Sequence, residues 1–246
     1  MPQAVFRFYG SLNDFLIPAR RQIEFSHSVK DRASIKDAIE ALGVPHPEID
    51  LLLVNGDSVS FAYRLHNRDS ISAYPHSESP EIDAISYVRP KPLANHRFVL
   101  DVHLGKLASY LRLLGFDVLY QNDYDDDVLA QISSQQQRIL LTQDIGLLKR
   151  SIVIYGYRVR SSNPKAQVRE VLDRFSLHGT VAPLKRCPRC NGLLEPVEKQ
   201  TIDHRLPHFT RLSYHEFFEC QDCSQLYWKG AHHGRIQQLI EQFVDR

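Results

Sequence analysis

Long apolar runs, a signal peptide and a surplus of glycine or proline are missing from this 246-residue sequence. No stretch approaches the roughly 18 apolar residues that span a bilayer. The first residues, MPQAVFRFYG, lack the basic start and apolar core of a signal peptide. We therefore expect a cytoplasmic protein without membrane association, and its composition is that of an ordinary folded chain.

An excess of charge of one sign is also missing, because 30 basic residues nearly balance 29 acidic ones and the net charge is only +1. This value argues neither for nor against a nucleic-acid partner. Basic residues do exceed acidic ones between Arg138 and Arg174. Such an excess can attract phosphates, although a solvated surface is its commoner meaning.

The first domain, predicted at residues 1–83, has the pattern of a small mixed sheet with one helix. The sequence predicts a helix that is capped by Ser34 and ends at Gly43. An Asn-Gly turn signal lies within the third of the predicted strands. These strands are placed at 4–12, 22–26, 51–61 and 70–75. Two strands, a helix and further strands are the order of a β-grasp fold.

At this level of pattern, the first domain resembles the ubiquitin-like family, in particular its small sulfur carriers. The VNG turn and the late strand before Tyr74 and Pro75 carry the resemblance. A sulfur carrier needs a free C-terminal Gly-Gly. The corresponding segment, PHSESPEID at 75–83, has none and continues into the next domain. We therefore expect a docking or packing module that can recruit a protein partner.

A linker is predicted at residues 84–96, and a second domain at 97–184 alternates short strands and helices. The predicted strands are 97–101, 116–120, 138–144 and 154–160. The predicted helices are 102–115, 125–136, 145–151 and 163–175. Alternation in short units favours an α/β domain whose parallel sheet has helices on both faces.

A third domain, at 185–246, is predicted to be a zinc ribbon followed by a C-terminal helix. Two C-x-x-C pairs supply Cys187, Cys190, Cys220 and Cys223, which are all the cysteines of the chain. Four thiolates form the closed tetrahedral set of a structural zinc ion. Disulfides are the alternative, but thiols stay reduced in the cytoplasm. The nearby histidines are assigned to surface or substrate contacts rather than to a second metal: His204, His208, His215, His232 and His233.

Acidic residues follow the strands of the second domain. Asp101 ends its first strand, Asp144 ends its third, and Asp125, Asp126 and Asp127 begin its second helix. Ligands bind at the carboxyl ends of strands in such sheets, and converging carboxylates favour Mg²⁺ or Mn²⁺. The alternatives are helix-capping roles for Asp144 and Asp125–Asp127, and an ion pair of Asp101 with Lys106 or Arg112.

Several motifs in one order resemble the Mut7-C RNase family, which joins a PIN-like nuclease domain to a C-terminal zinc ribbon. They are FVLDVHLGKLASYLRLLGFDV, RILLTQD, RCPRCNGLL and CQDCSQLYW. The resemblance covers about residues 96–235, and a ubiquitin-like module precedes the nuclease in a bacterial subset of the family. It implies metal-dependent RNA cleavage, with catalytic acids at Asp101, Asp144 and Asp125, and with Asp126 or Asp127 as competitors for the last position.

The resulting hypothesis is hydrolysis of single-stranded RNA at the rim of the sheet. Mg²⁺ or Mn²⁺ is held there by Asp101, Asp125 and Asp144, while Lys106 and Arg112 contact phosphate. Thr142 is a candidate to orient a carboxylate. On the ribbon, RNA contact competes with simple packing for Arg186, Arg189, Tyr227 and Trp228.

Two rival functions use the same residues differently. A non-catalytic RNA- or protein-binding module would carry vestigial acids. A receiver-type phosphate domain would need paired acids after its first strand and a late-strand lysine, and neither is evident in this sequence.

Overall fold

The computed structural model describes residues 2–30, 32–76 and 85–228. Its strands are β1 (Gln3–Phe8), β2 (Phe25–Ser28), β3 (Ile49–Val54), β4 (Asp57–Ser58), β5 (Ser70–Pro75), β6 (Arg97–Leu100), β7 (Asp117–Leu119), β8 (Ile139–Thr142), β9 (Gly156–Arg158), β10 (Leu194–Val197), β11 (Phe217–Cys220) and β12 (Leu226–Trp228). Its α-helices are α1 (Ile35–Ala41), α2 (Gly105–Leu113), α3 (Asp126–Gln136), α4 (Ile145–Leu148), α5 (Pro164–Arg174), α6 (Lys199–Ile202) and α7 (His208–Ser213).

The chain divides into two compact units that cut across its linear order. The first unit contains residues 1–94 and 126–158, and the second contains 95–125 and 159–246. Among the described residues, no helix has the length and apolar character needed to cross a membrane. The predicted C-terminal helix, His232 and His233, and most of the tail at 75–83 lie outside the described residues.

The N-terminal sheet is mixed and has the strand order β2-β1-β5-β3-β4. Strands β1 and β5 run parallel, and the other neighbours run antiparallel. Helix α1 buries Ile35, Ala38 and Ile39 in a core shared with this sheet. This arrangement confirms the β-grasp prediction.

Local signals place the turns of this sheet. The Ser34 hydroxyl caps α1 by accepting the N–H of Asp37 at 3.1 Å. Asn55 and Gly56 both have positive φ, at 52° and 94°, as a tight turn between β3 and β4 requires. The strand predicted at 22–26 begins later, at Phe25, because Gln22 takes a positive φ of 62° and donates its N–H to Asn13 Oδ1.

The second sheet is parallel and has the order β7-β6-β8-β9. Strand β6 pairs with β7, and β8 pairs with β9. The helix predicted from residue 102 begins with a 3₁₀ turn at Val102–Leu104, and α2 follows from Gly105. Helix α2 buries Leu107, Ala108 and Leu111 on one face, as its apolar spacing predicts.

The third sheet is antiparallel, with the order β10-β11-β12. The segment between the two cysteine pairs is itself folded, since it contains β10, α6, α7 and most of β11. A small core unites this segment with the sheet and contains Ile202, Leu206, Phe217 and Leu226. The long spacing between the cysteine pairs is therefore occupied by structure of its own.

Candidate metal centres

The four cysteine side chains lie together in a group suited to one metal ion. All four Sγ atoms are within 4.8 Å of one another. Cys187 Sγ is 3.8 Å from Cys223 Sγ, and Cys190 Sγ is 3.4 Å from Cys220 Sγ. Tetrahedral Zn–S bonds of about 2.3 Å require sulfur atoms about 3.8 Å apart. The donor set and its dimensions therefore fit an ion such as zinc.

The two C-x-x-C pairs fold in the same way, as two matching knuckles. The residue after each second cysteine has a positive φ, 75° at Asn191 and 55° at Ser224. Its N–H donates at 2.9 Å to the carbonyl of the first cysteine, Cys187 in one knuckle and Cys220 in the other. Gly192 then passes so close to Cys220 that an added Cβ would lie 2.8 Å from its Sγ. Local backbone geometry thus aims both pairs at one point.

The thiols of the group differ in acidity because their surroundings differ. Desolvation raises the pKa of Cys190 to about 12 and also raises the pKa of Cys220. At Cys187, burial is outweighed by hydrogen bonds from the Tyr227 hydroxyl and from backbone amides, which lower the pKa to about 7. Burial and the adjacent sulfur raise the pKa of Tyr227, so its hydroxyl keeps the proton that faces Cys187 Sγ at 3.0 Å.

The first knuckle is bound to α2 and β7 by buried polar contacts. Arg112, only 5% exposed, donates to the carbonyls of Val118 at 2.9 Å and Arg189 at 3.0 Å. Asn191 Oδ1 accepts the N–H of Val118 at 2.8 Å, while its amide donates to Asp117 Oδ1 at 2.9 Å. The predicted phosphate contact at Arg112 thus gives way to a structural role, because its guanidinium is buried among carbonyls.

The strand-end acids each cap the helical turn that follows them. Asp101 comes directly after β6, is 6% exposed and accepts the N–H of His103 at 3.3 Å. Asp144 follows β8, is exposed, and accepts the N–H of Gly146 at 2.6 Å. The Thr142 hydroxyl accepts the backbone N–H of Asp144 at 2.9 Å, so it fixes the backbone from which this carboxylate extends.

The acidic run at the start of α3 is exposed and is partly neutralised. Arg150 forms a hydrogen bond and ion pair with Asp127 and lies 3.9 Å from Asp126. Asp125, next to them in sequence, belongs to the other compact unit together with Asp101. Convergence of Asp101, Asp125 and Asp144 on one cation stays a prediction. Within the described residues of either unit, no group of three carboxylates comparable to the cysteine group is found.

Comparison with known families accounts for nearly the whole chain. Residues 96–240 match the model of the Mut7-C RNAse domain, and residues 1–81 match that of the Mut7-C ubiquitin domain. The chain belongs to the Mut7-C RNase family. Neither the curated proteins nor the solved structures contain a match.

In this Mut7-C protein, the aromatic residues of the ribbon pack against its core. Trp228 lies against Phe217, with ring centroids 6.4 Å apart, and Tyr227 contacts the cysteine group. Arg186 donates to the Asn191 carbonyl at 3.1 Å and approaches Asp117 at 3.5 Å. Arg189 and, on α2, Lys106 are exposed. Of the cations singled out from the sequence, these two have the solvent access that a phosphate contact needs.

Sequence reasoning missed the partners of the Mut7-C site residues. The basic run that contains Arg150 gave no indication that this side chain would turn toward Asp127. Asn191 follows the second cysteine of its pair, and this local pattern does not indicate that its side chain accepts the N–H of Val118 in β7, 73 residues away. Both pairings join residues that are distant in sequence, and a motif within one segment does not encode such pairings.

Proposed function

We propose that this chain is a metal-dependent ribonuclease that hydrolyses phosphodiester bonds of single-stranded RNA. The match of residues 96–240 to the Mut7-C RNase domain is the observation that carries this proposal. The acids after β6 and β8 support it, since the carboxyl ends of parallel strands meet at one edge of a sheet and are where ligands bind.

The acidic residues have the chemistry that a catalytic cation requires. Asp101, Asp144 and Asp125 supply carboxylate oxygens, which Mg²⁺ and Mn²⁺ prefer. A divalent ion supplies, when bound, a Lewis acid that activates water and offsets the charge developing on phosphate. The hydrogen bonds from His103 and Gly146 hold two of these carboxylates in place before any ion arrives.

Other side chains would bind and orient the RNA. Lys106, exposed on the helix that follows Asp101, is positioned to contact a phosphate. Arg150, now paired with Asp127, can exchange that carboxylate for a phosphate oxygen when RNA approaches. Asp125 is the first candidate ligand at the start of α3, with Asp126 and Asp127 as its competitors.

The cysteine group has a structural role in this proposal. We assign zinc to Cys187, Cys190, Cys220 and Cys223, because four thiolates leave no open coordination position for chemistry. The ubiquitin-like module is assigned to protein contact, with a partner to be recruited beside the RNase domain.

A binding module without catalysis is the second candidate, and one observation favours it. Asp101 and Asp144 act as helix caps and Asp127 is paired, so these acids have structural roles that need no cation. RNA or protein would then be bound by the surfaces without being cleaved.

A cleavage assay separates the two candidates. The zinc-loaded protein is incubated with labelled single-stranded RNA in Mn²⁺, Mg²⁺ or EDTA, beside an Asp101→Asn/Asp144→Asn variant. Asparagine can still cap a helix but lacks the charge that holds the ion, so the variant should remain folded. Asp57→Asn, at an exposed site in β4, is the matched control.

The ribonuclease proposal expects cleavage that needs the added metal, persists in the control and falls at least about 100-fold in the double variant. Asp125→Asn should reduce cleavage more than Asp127→Asn does. Cleavage that is undiminished in EDTA or in the double variant would contradict the acidic site. RNA binding without cleavage would favour the binding module.

A further inference from the structure

One face of the ubiquitin-like module lies against the segment that follows Asp144. His46 Nε2 is 2.8 Å from the carbonyl oxygen of Val153, and the Glu48 carboxylate accepts the N–H of Arg158 at 2.7 Å. The Lys149 ammonium donates to the carbonyl of Glu40 at 2.6 Å. These pairs are more than 100 residues apart in sequence, and all of them lie within the first compact unit.

The contacts are made by groups that would be costly to bury without partners. Glu48 is 3% exposed and His46 is 7% exposed. His46 Nδ1 is also 2.7 Å from Glu40 Oε1. A buried polar group of this kind is retained only where its partner is fixed.

The contacted strand is the edge of the parallel sheet. Strand β9 ends the order β7-β6-β8-β9, and an edge strand presents unpaired N–H and carbonyl groups to any passing chain. The Glu48 carboxylate accepts the N–H of Arg158, so this backbone group of the edge strand is paired. Gly156 is buried beside Pro47, and the Arg158 guanidinium lies 5.5 Å from the ring centre of Phe15. The module therefore fits this edge through polar and apolar contacts together.

Helix α4 links this docking face to the proposed catalytic acid. It has four residues, with Asp144 as its N-cap and Lys149 as its C-cap. A helix of one turn has almost no stability of its own. Its position comes from the buried side chains of Leu147 and Leu148 and from contacts at its ends, and the contact at its C-terminal end is with Glu40 of the module.

We propose that the ubiquitin-like module is a built-in clamp on α4 and β9, and that through this clamp it positions the Asp144 carboxylate. The module thus docks on the RNase domain of its own chain, in addition to the protein partner proposed above for it. His46, Glu48 and Lys149 are positioning residues, since they act on the site only through α4 and β9. The clamp itself stands on the contacts above, whereas its effect on metal binding rests on the proposed function.

Hydrogen exchange on the full-length, zinc-loaded protein tests the clamp. Glu48→Ala removes the acceptor of the Arg158 N–H, and Lys149→Met removes the bond to Glu40 while keeping the apolar stem. Both variants should increase exchange at 145–158 about tenfold or more, with β1–β5 and the cysteine knuckles unchanged. Glu48→Gln keeps an acceptor oxygen and should restore part of the protection. Glu24→Gln, at an exposed position of the same module, should change nothing.

Wild-type exchange at 145–158 in both Glu48→Ala and Lys149→Met would overturn the clamp. Mn²⁺ affinity, measured by titration on the same samples, tests the positioning of Asp144. It should fall several-fold in Glu48→Ala and Lys149→Met under conditions where each variant is folded, and recover in Glu48→Gln. Unchanged affinity would overturn the positioning. Absence of Mn²⁺ binding in the wild type would instead contradict the proposed function. The hydrogen-exchange result would then decide whether the clamp exists.

Discussion

At the scale of single residues, Gly192 shows how closely the two cysteine knuckles approach. A Cβ at this position would lie 2.8 Å from Cys220 Sγ and 2.7 Å from Asp222 Oδ2. Asp222 is exposed and can move, but the sulfur atom is fixed by its part in the metal group.

Gly192→Ala should therefore weaken zinc binding. The cost of forcing an extra methyl into a packed site is about 1–3 kcal/mol, which corresponds to a 5- to 150-fold loss of affinity. Competition with a coloured chelator measures this loss. Gly179→Ala serves as control because a Cβ there meets no atom within 4 Å. Equal affinities for the two variants would contradict the packing described for the knuckle.

The acidity of the thiols predicts how zinc binding depends on pH. Because the pKa values of Cys190 and Cys220 are raised, both thiols are protonated at pH 7 in the metal-free protein. Zinc binds thiolates, so loading must release at least these two protons, and affinity must rise with pH. On the proposal that the cysteine group holds zinc, the ribbon is stabilised as pH rises and loses this stabilisation as pH falls.

Calorimetry in buffers of different ionisation enthalpy counts the released protons. We expect two or more protons per zinc ion at pH 7, and a slope of log affinity against pH of about two or more. A count below one would mean that the thiols are already ionised without metal.

At the scale of elements, Arg112 joins three parts of the second unit. It extends from α2 and donates to the carbonyl of Val118 in β7 and to the carbonyl of Arg189 in the first knuckle. Burial lowers its pKa, an effect that the Cys190 and Cys187 sulfurs oppose. Its charge is therefore held beside the sulfur atoms of Cys190 and Cys187.

Arg112→Met should lower the free energy of unfolding by about 1–3 kcal/mol, since it leaves buried carbonyls without donors. Lys106→Met, on the same helix but exposed, should leave stability unchanged and weaken RNA binding instead. Denaturant titration should therefore find Arg112→Met to be the less stable variant, and RNA-binding measurements should find Lys106→Met to be the weaker binder. A stable Arg112→Met protein with weakened RNA binding would restore the phosphate contact that the sequence suggests for Arg112.

The elements differ in how far the sequence could predict them. Helix α1 and the turn at Asn55–Gly56 were predictable because a cap and a turn depend on a few adjacent residues. The start of β2 was not, since it depends on Asn13, nine residues before Gln22. The cysteine ligands followed from spacing alone. The pairing of Arg150 with Asp127 and of Glu48 with Arg158 arises only after distant segments have packed.

At the scale of the whole molecule, each compact unit combines segments that are distant in sequence. Residues 126–158 of the RNase domain group with the ubiquitin-like module, and the rest of that domain groups with the cysteine ribbon. Each half of the parallel sheet therefore has its own supporting module. Asp144 belongs to one half, and Asp101 and Asp125 belong to the other.

The central proposal is that Asp101, Asp125 and Asp144 hold one divalent ion, and Mn²⁺ binding to the zinc-loaded protein tests it most directly. Electron paramagnetic resonance titration would compare the wild type with Asp101→Asn, Asp144→Asn and the double variant. A shared ion predicts one site that each single change weakens strongly, with a non-additive loss in the double variant. Additive losses from two separate weak sites, or Mn²⁺ binding that survives in the double variant, would contradict the claim.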